Sequence, residues 1–500
     1  MNDNTLQEMF IDKGCFPHQA QFAANFFAPD AARRHILVSS PGMGKRFAAA
    51  VIVNHAMSSG LAHRVLVLAP AALLAQWQEM VRRGDQAAPV MIVDRRRLRE
   101  LEDSRPVGEE IWPANAILIL SFDFAKQTDV AGALGRCPWD LLVVDQVQLA
   151  PRHSPRRRLL FDLIVGSSQA RVLFLRPGGP RRMTEADTSA ELFRAADAAL
   201  TVWTPKTLRD HQGKSLLPEV RMEWINYRRQ PEEAEVLSRL QDSLRSLDTT
   251  NATLRLAAAT LMQSASSSFF ALEQRLRRIR QRRNELAHGI GEKEEAGPDA
   301  EEVGMDAIEV IDIGDQLRRY AELERIAEPL LSLLEELATD SKADALVQLL
   351  DSSGARVSPD RRVCVFTRFV DTATYLENVL REAHPLVRGL TGGHSLAERE
   401  RVIADFAHTG GVLIATEAVA TTIPEVATAV FYDLPLNPAV LEARIGQFVR
   451  VGRHGPVQIV AFADESNTFV IERLQRKVAE IKEALGEQEI EQVLFPKDRE

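Results

Sequence analysis

Two short stretches carry residue types at spacings suited to phosphate chemistry. SSPGMGKR (39–46) follows the apolar run HILV and precedes a helix-like segment. In that setting glycines and the amides of a helix N-terminus cradle phosphates, and a lysine reaches the outer ones. Gly42, Gly44 and Lys45 fit the pattern. Ser39, however, replaces its first glycine, and Arg46 stands where a magnesium-binding hydroxyl belongs. Alone, the stretch serves equally well as a glycine turn between strand and helix. The second stretch, DLLVVDQVQL (140–149), reads as a strand ending in Asp145. A carboxylate there holds Mg2+ through water, and the residue that follows is normally a glutamate that activates the attacking water. Here it is Gln146, which cannot accept a proton. A strand that merely ends in Asp is the plainer reading of this piece by itself, and the pair in this order is more specific than either part.

The elements around these stretches alternate. HILVSS (35–40), RVLVLAP (64–70), PVMIVD (89–94), AILILS (116–121), DLLVVD (140–145) and RVLFLR (171–176) each read as a buried strand, with helix-like segments such as RFAAAVIVNHAMSSG between several of them. Continuous apolar runs separated by helices predict a parallel sheet covered on both faces, with functional loops at the carboxyl ends of its strands. From about 206 to 340 the composition turns helical after one strand candidate, VRMEWINY (220–227). Leu272, Leu276, Ile279 and Leu286 fall at helical spacing among arginines, and GEKEEAGPDAEEVG (291–304) reads as a flexible acidic linker. Strand candidates return at RVCVFTRF (362–369), GVLIAT (411–416), TAVFYDLP (428–435) and VQIVAF (457–462), and the end of the chain reads as one or two helices. The expected architecture is therefore α/β, with lobes over 1–205 and 341–500 around a helical insert at 206–340.

Length and composition bound the rest. Five hundred residues exceed what one core organises, so two or three domains are expected. No stretch reaches the length of apolar sequence that crosses a bilayer, and MNDNTLQEMF has no signal-peptide pattern, so no membrane association is expected. Cys15, Cys137 and Cys364 lie far apart without metal-ligand spacing and read as buried thiols of a cytoplasmic chain. The net charge of −9 argues against a simple basic coat for nucleic acid, although a local basic groove stays compatible with it. The arginine clusters are Arg95–Arg97 with Arg99, Arg152 with Arg156–Arg158, Arg181–Arg182, and Arg275–Arg283. They read either as solvated faces of an arginine-rich chain or as phosphate contacts. His18 reads as positional rather than catalytic, His288 and His394 have no acidic or cysteine partner at ligand spacing, and no hydrolase triad or nuclease-like carboxylate cluster appears.

Several segments in order resemble superfamily 2 helicases of the Swi/Snf-like kind, in particular the RapA-like bacterial branch. FPHQAQ (16–21) resembles their adenine-reading motif, with Gln19 as reader, and VLVLAPAALLAQWQEMVRR (65–83) resembles the Pro-containing DNA-contacting motif and its following helix. KADALVQLL (342–350), VCVFTRFVDTATYLENVL (363–380) and LTGGHSLAERERVIADF (390–406) resemble the opening of the second motor lobe, and LIATEAVATTIPEV through ARIGQFVRVGR resembles motifs five and six. The resemblance implies two RecA-like lobes, ATP or ADP as cofactor, Mg2+ bound through Asp145, and sequence-independent duplex DNA as partner. It also makes a protein partner in a multi-subunit system plausible.

Departures from the pattern cluster in one site. Besides Arg46 and Gln146, Gln447 occupies one of the two arginine positions that face the γ-phosphate, and only Arg450 remains. FLRPGG (174–179) stands in place of a Thr-Ala-Thr-Pro-like coupling motif, and ATEAVATTIPEV lacks a glycine-containing turn. A placed base is worth about 10²–10⁴-fold and an arginine finger about 10³–10⁵-fold in rate. Their joint loss predicts impaired hydrolysis even with strong non-additivity. Arg46 is expected to bring its guanidinium near the metal position. Three functions follow as alternatives: a nucleotide- and DNA-binding motor with impaired hydrolysis that serves as a scaffold, an active DNA-dependent translocase, or an interaction module that keeps only the fold.

Overall fold

Strands buried on both faces must send alternate side chains into two separate cores, and the first sheet does this throughout. The computed structural model describes residues 3–84, 88–106, 109–147, 150, 154–177, 198–204, 208–210, 212–247, 252–288, 313–352, 361–416, 423, 425–434, 438–453 and 455–464. The described residues divide into two units, 3–218 with 442–453, and 219–441 with 455–464. The acidic stretch 291–304, the coupling segment at 178–179, most of ATEAVATTIPEV, Arg152, Arg181, Arg182 and the C-terminal helices of the sequence reading lie outside the described residues.

The first unit contains strands β1 (Arg34–Ser39), β2 (Arg64–Ala69), β3 (Val90–Ile92), β4 (Ala116–Ser121), β5 (Leu141–Asp145), β6 (Arg171–Pro177) and β7 (Ala198–Trp203). They form one parallel sheet in the order β3-β4-β2-β5-β6-β1-β7. Leu37, Val65, Val67, Ile117, Ile119, Leu141 and Val143 join one core with the helices Pro17–Phe27 and Lys45–Ser58. Their strand neighbours Ile36, Val38, Leu66, Leu68, Leu118, Leu120, Leu142 and Val144 join the opposite core with Leu159, Leu160 and Leu163 of helix Pro155–Gly166. The alternation follows from the two-residue period of a strand.

The second unit is built on a parallel sheet of β8 (Val220–Tyr227), β9 (Arg362–Thr367), β10 (Val387–Leu390), β11 (Gly411–Thr416), β12 (Thr428–Phe431) and β13 (Val457–Asp464), in the order β10-β11-β9-β12-β13-β8. β8 pairs in parallel register with β13 along its whole length, so the isolated strand candidate at 220–227 is the edge of this sheet. The α/β class with two parallel-sheet lobes, expected from the sequence, is the observed fold. Between β8 and β9 the helices Pro231–Arg245, Ala252–Ser267, Phe269–Ala287 and Ile313–Glu335 bury a core of their own around Leu240, Leu261, Leu276, Ala327 and Leu330.

A buried polar node joins these helices to the sheet. Asp433, just beyond β12, accepts hydrogen bonds from Ser267 Oγ at 2.6 Å, Thr367 Oγ1 at 2.6 Å and Lys342 Nζ at 2.8 Å. Lys342 Nζ also donates to the carbonyl of Ser266 at 2.9 Å and stands 4.1 Å above the ring of Tyr432. Burial alone would raise the Asp433 carboxyl; the charge of Lys342 and the hydroxyl donors outweigh it and hold the group below the usual carboxylate range. Removing one partner of such a pair strands the other charge in the interior. Lys342→Met is therefore expected to lower stability by about 3–5 kcal/mol, read as a lower urea midpoint for the second unit. The double variant Lys342→Met, Asp433→Asn should recover most of the loss.

Candidate functional site

The carboxyl ends of β1 and β5 lie in one sheet with β6 between them, which brings the two chemistry-bearing stretches of the sequence into reach of each other. Between β1 and helix Lys45–Ser58 the chain turns through Gly42 at φ +85° and Gly44 at φ +76°, backbone that side-chain-bearing residues rarely adopt. Lys45 and Arg46 fall in the first turn of the helix. Lys45 is buried and its Nζ donates to the Ser39 carbonyl at 3.3 Å, so the amine lies back over the loop. Gln19 is also tied to the loop. Its Nε2 donates to the Gly44 carbonyl at 3.2 Å and its Oε1 accepts from the Phe16 amide at 3.0 Å, leaving the side chain 2 % exposed.

Arg46 reaches across to the end of β5. Its Nε donates to Asp145 Oδ2 at 2.7 Å and its Nη1 to Gln76 Oε1 at 3.1 Å. The indole Nε1 of Trp77 donates to the same Oδ2 at 3.0 Å. Asp145 is wholly buried, and its Oδ1 has no hydrogen-bond partner among the described residues. Gln76 and Trp77, from helix Leu74–Arg82, are the site residues that sequence reading missed. The stretch containing them resembles a DNA-contacting motif, and nothing in its spacing marks a contact with a residue 68 positions away. Gln146 follows with φ +60°, the one side-chain-bearing residue in left-handed backbone among the described residues. Strain of this kind costs on the order of 1–3 kcal/mol and collects at functional sites.

Residues 442–453, counted with the first unit, pack on the glycine turn. The amide of Val451 donates to the Gly42 carbonyl at 2.9 Å, and a β-carbon at Gly42 would lie 2.3 Å from the Val449 carbonyl oxygen. A β-carbon at Gly446 would meet that of Pro41 at 2.4 Å. The backbone of Arg450 is part of this contact with Gly42, whereas Gln447 is half-buried with an Oε1 that has no partner among the described residues. The structure thus gathers Gln19, Gly42, Gly44, Lys45, Arg46 and Asp145 at the carboxyl end of one sheet and sets the backbone of Arg450 beside them.

The magnesium ion that the resemblance implies does not fit these residues. Its hydroxyl ligand is absent, Asp145 Oδ2 is taken by a guanidinium and an indole, and Oδ1 is sealed from solvent. Among the described residues no cluster of three His, Cys, Asp or Glu side chains offers a metal site elsewhere. The cysteines are buried and form no disulfide; burial pushes the Cys15 thiol up to about 11 and that of Cys137 up to about 12.

Most of the described arginines in these clusters pair with acids within the fold. Arg95 pairs with Asp129, Arg97 with Glu100 at 2.7 Å and Arg156 with Asp123 at 2.7 Å. On helix Phe269–Ala287, Arg278 meets Asp371 at 2.9 Å, Arg283 meets Glu324 at 3.1 Å, and Arg277 meets Glu273 at 2.6 Å. Arg275 is buried, with its Nε on Ser264 Oγ at 3.0 Å.

A phosphate-type loop and an acidic strand end on one parallel-sheet unit, followed by a second such unit, form the arrangement that the resemblance to superfamily 2 helicases implies. The helicase conserved C-terminal domain matches residues 341–455. The chain is 22% identical to the "Uncharacterized ATP-dependent helicase YqhH" of Bacillus subtilis, over 94% of this chain and 79% of that protein. It is 26% identical to the "RNA polymerase-associated protein RapA" of Sodalis glossinidius over 93% of this chain, and spans 49% of the length of that relative. The crystal structure of the Pyrococcus furiosus Hef helicase domain shares the fold, with a TM-score of 0.55 at 16% identity, covering 93% of this chain and 98% of that one. These matches support a resemblance to superfamily 2 helicases of the Swi/Snf-like kind, in their RapA-like branch.

One buried group beside the loop gives a pH signature. His18 packs edge-on against Trp203 at 4.6 Å, with its Nε2 3.3 Å from the Met43 carbonyl oxygen. Burial lowers its pKa from 6.5 to about 4, against a smaller opposing effect of the Met43 contact. Between those values the unfolded chain binds the extra proton, so stability rises with pH across that window and falls as pH drops toward 4. The unfolding temperature of the first unit is expected to follow this slope, and His18→Gln should flatten it.

Proposed function

We propose that this chain is a RapA-like motor protein that binds ATP or ADP and engages duplex DNA, with ATP hydrolysis impaired. The observation that carries the reading is the Arg46–Asp145 ion pair, which fills the position of the metal-activating acid with an internal partner. Gln146 adds a residue that cannot take a proton where the base belongs, and Gln447 replaces one arginine of the pair that faces the γ-phosphate. General-base loss alone costs about 10²–10⁴-fold, so the combination leaves binding as the surviving activity. Gly42, Gly44, Lys45 and the helix N-terminus supply the phosphate cradle, Gln19 buttresses its backbone, and Arg450 is the remaining γ-phosphate-facing arginine.

Kinship with proteins named as ATP-dependent helicases supports nucleotide and nucleic acid as ligands. The pairing of the arginine clusters with Asp and Glu leaves a smaller set of cations for backbone contact with DNA than the sequence displays. The RapA relatives are named for association with RNA polymerase, and a multi-subunit assembly is the setting proposed for this chain, with that polymerase as the first partner to test.

Two measurements check this. ATP turnover with and without duplex DNA should stay at background while nucleotide binding is retained and is lost in Lys45→Ala; DNA-stimulated turnover abolished in that variant would make the chain a working translocase instead. Affinity for a duplex of arbitrary sequence should fall steeply and linearly in log–log form with salt. A salt-insensitive affinity, or none at low salt, would remove DNA from the proposal.

A further inference from the structure

Two replacements at the phosphate loop differ in chemistry but add up in charge. A metal-dependent site of this type holds one lysine, one divalent cation, an aspartate and a carboxylate base, which leaves a net single positive charge facing the phosphates. Here the metal-binding hydroxyl has become Arg46 and the residue after Asp145 is Gln146. Lys45 and Arg46 contribute two positive charges and Asp145 one negative, again a net single positive charge without any metal. The guanidinium stands where a cation is needed, 2.7 Å from Asp145 Oδ2, and is held by Gln76 at 3.1 Å. A fixed second cation is thus part of the polypeptide.

The remaining geometry suits an anion. Arg46 uses Nε and Nη1 in these bonds, and its Nη2 bonds to none of the described residues. The side chain is 28% exposed, in contrast to the 0% of Asp145, so its open edge faces outward from the carboxylate it neutralises. A guanidinium is always charged and presents donors in a rigid fork that matches phosphate oxygens. Asp145 Oδ1 is fully buried and bare, so a hydrated Mg2+ would have to displace an ion pair and an indole donor to reach the carboxylate.

We infer that Arg46 replaces the divalent cation, so that this site takes the polyphosphate of a nucleoside di- or triphosphate in metal-free form. The inference rests on the nucleotide-binding reading above and specifies the ionic form of that ligand. Arg46 acts directly on the phosphates, Asp145 and Gln76 position it, and Trp77 caps the buried carboxylate. Gln146 completes the arrangement, because a glutamate there would cancel the charge that Arg46 supplies.

The test is calorimetric titration of the full chain with ADP and with ATP, once in EDTA and once in Mg2+, beside Mn2+ binding followed by paramagnetic resonance. Nucleotide affinity in EDTA should equal or exceed that in Mg2+, with no Mn2+ held by the protein–nucleotide complex. Arg46→Ser should bind about tenfold or more weakly in EDTA, recover with Mg2+, and retain Mn2+ with nucleotide. Arg46→Lys keeps the charge and guards against a folding artefact; it should stay metal-independent at intermediate affinity, with an unfolding temperature close to that of the parent. Affinity of the parent chain that requires Mg2+, or EDTA affinity unchanged in Arg46→Ser, would overturn the metal-free site while leaving nucleotide binding in place. Absence of binding in both buffers would remove the nucleotide reading itself.

Discussion

A carboxylate carried into the interior at the end of a parallel strand has to be neutralised where it lies, because desolvation of an unpaired charge costs several kcal/mol. Both units of this protein meet that constraint in the same manner. In the first, Asp145 closes β5 and is met by Arg46 and the Trp77 indole. In the second, Asp433 follows β12 and is met by Lys342 with the hydroxyls of Ser267 and Thr367. Each acid collects a cation and hydrogen-bond donors from separate helices or strands, so each fixes several elements at one point. The first anchor draws on the helix after the glycine turn and on helix Leu74–Arg82. The second draws on the helical insert and on helix Ser341–Asp351.

The strands were legible in the sequence wherever burial on both faces wrote a continuous apolar run. β1, β2, β4, β5 and β6 coincide with HILVSS, RVLVLAP, AILILS, DLLVVD and RVLFLR to within about a residue, because a strand between two helical layers has no polar face to interrupt it. β7 and β10 escaped notice for opposite reasons. β7 is an edge strand paired on one side only with β1, and β10 is four residues long, with arginine and glycine in its middle. β8 shows mixed burial because it borders the second sheet, which is why its sequence reads as a strand without revealing which sheet it completes.

For the site, the order of motifs located the loop and the acid, but the partners that change their chemistry were hidden. Trp77 and Gln76 act through distance in space across dozens of residues, and periodicity within a helix carries no trace of that. The arginine clusters show the converse failure. Local composition suggested open positive charge, yet Arg278 meets Asp371 and Arg95 meets Asp129, acids that lie 93 and 34 residues away. Charge read along a chain overstates charge presented to a ligand whenever the fold brings the counter-ions back.

The thiols have a practical corollary. All three cysteines of the chain are buried and form no disulfide, and burial disfavours the thiolate of Cys15 and Cys137. Because the thiolate is the reactive species and all three thiols are buried, a low native background toward maleimides is expected. Single cysteines introduced on the surface of each unit can therefore carry donor and acceptor dyes without first stripping the protein of its own. The separation of the two units in solution then becomes a length measurable by energy transfer, with the natural sequence otherwise intact.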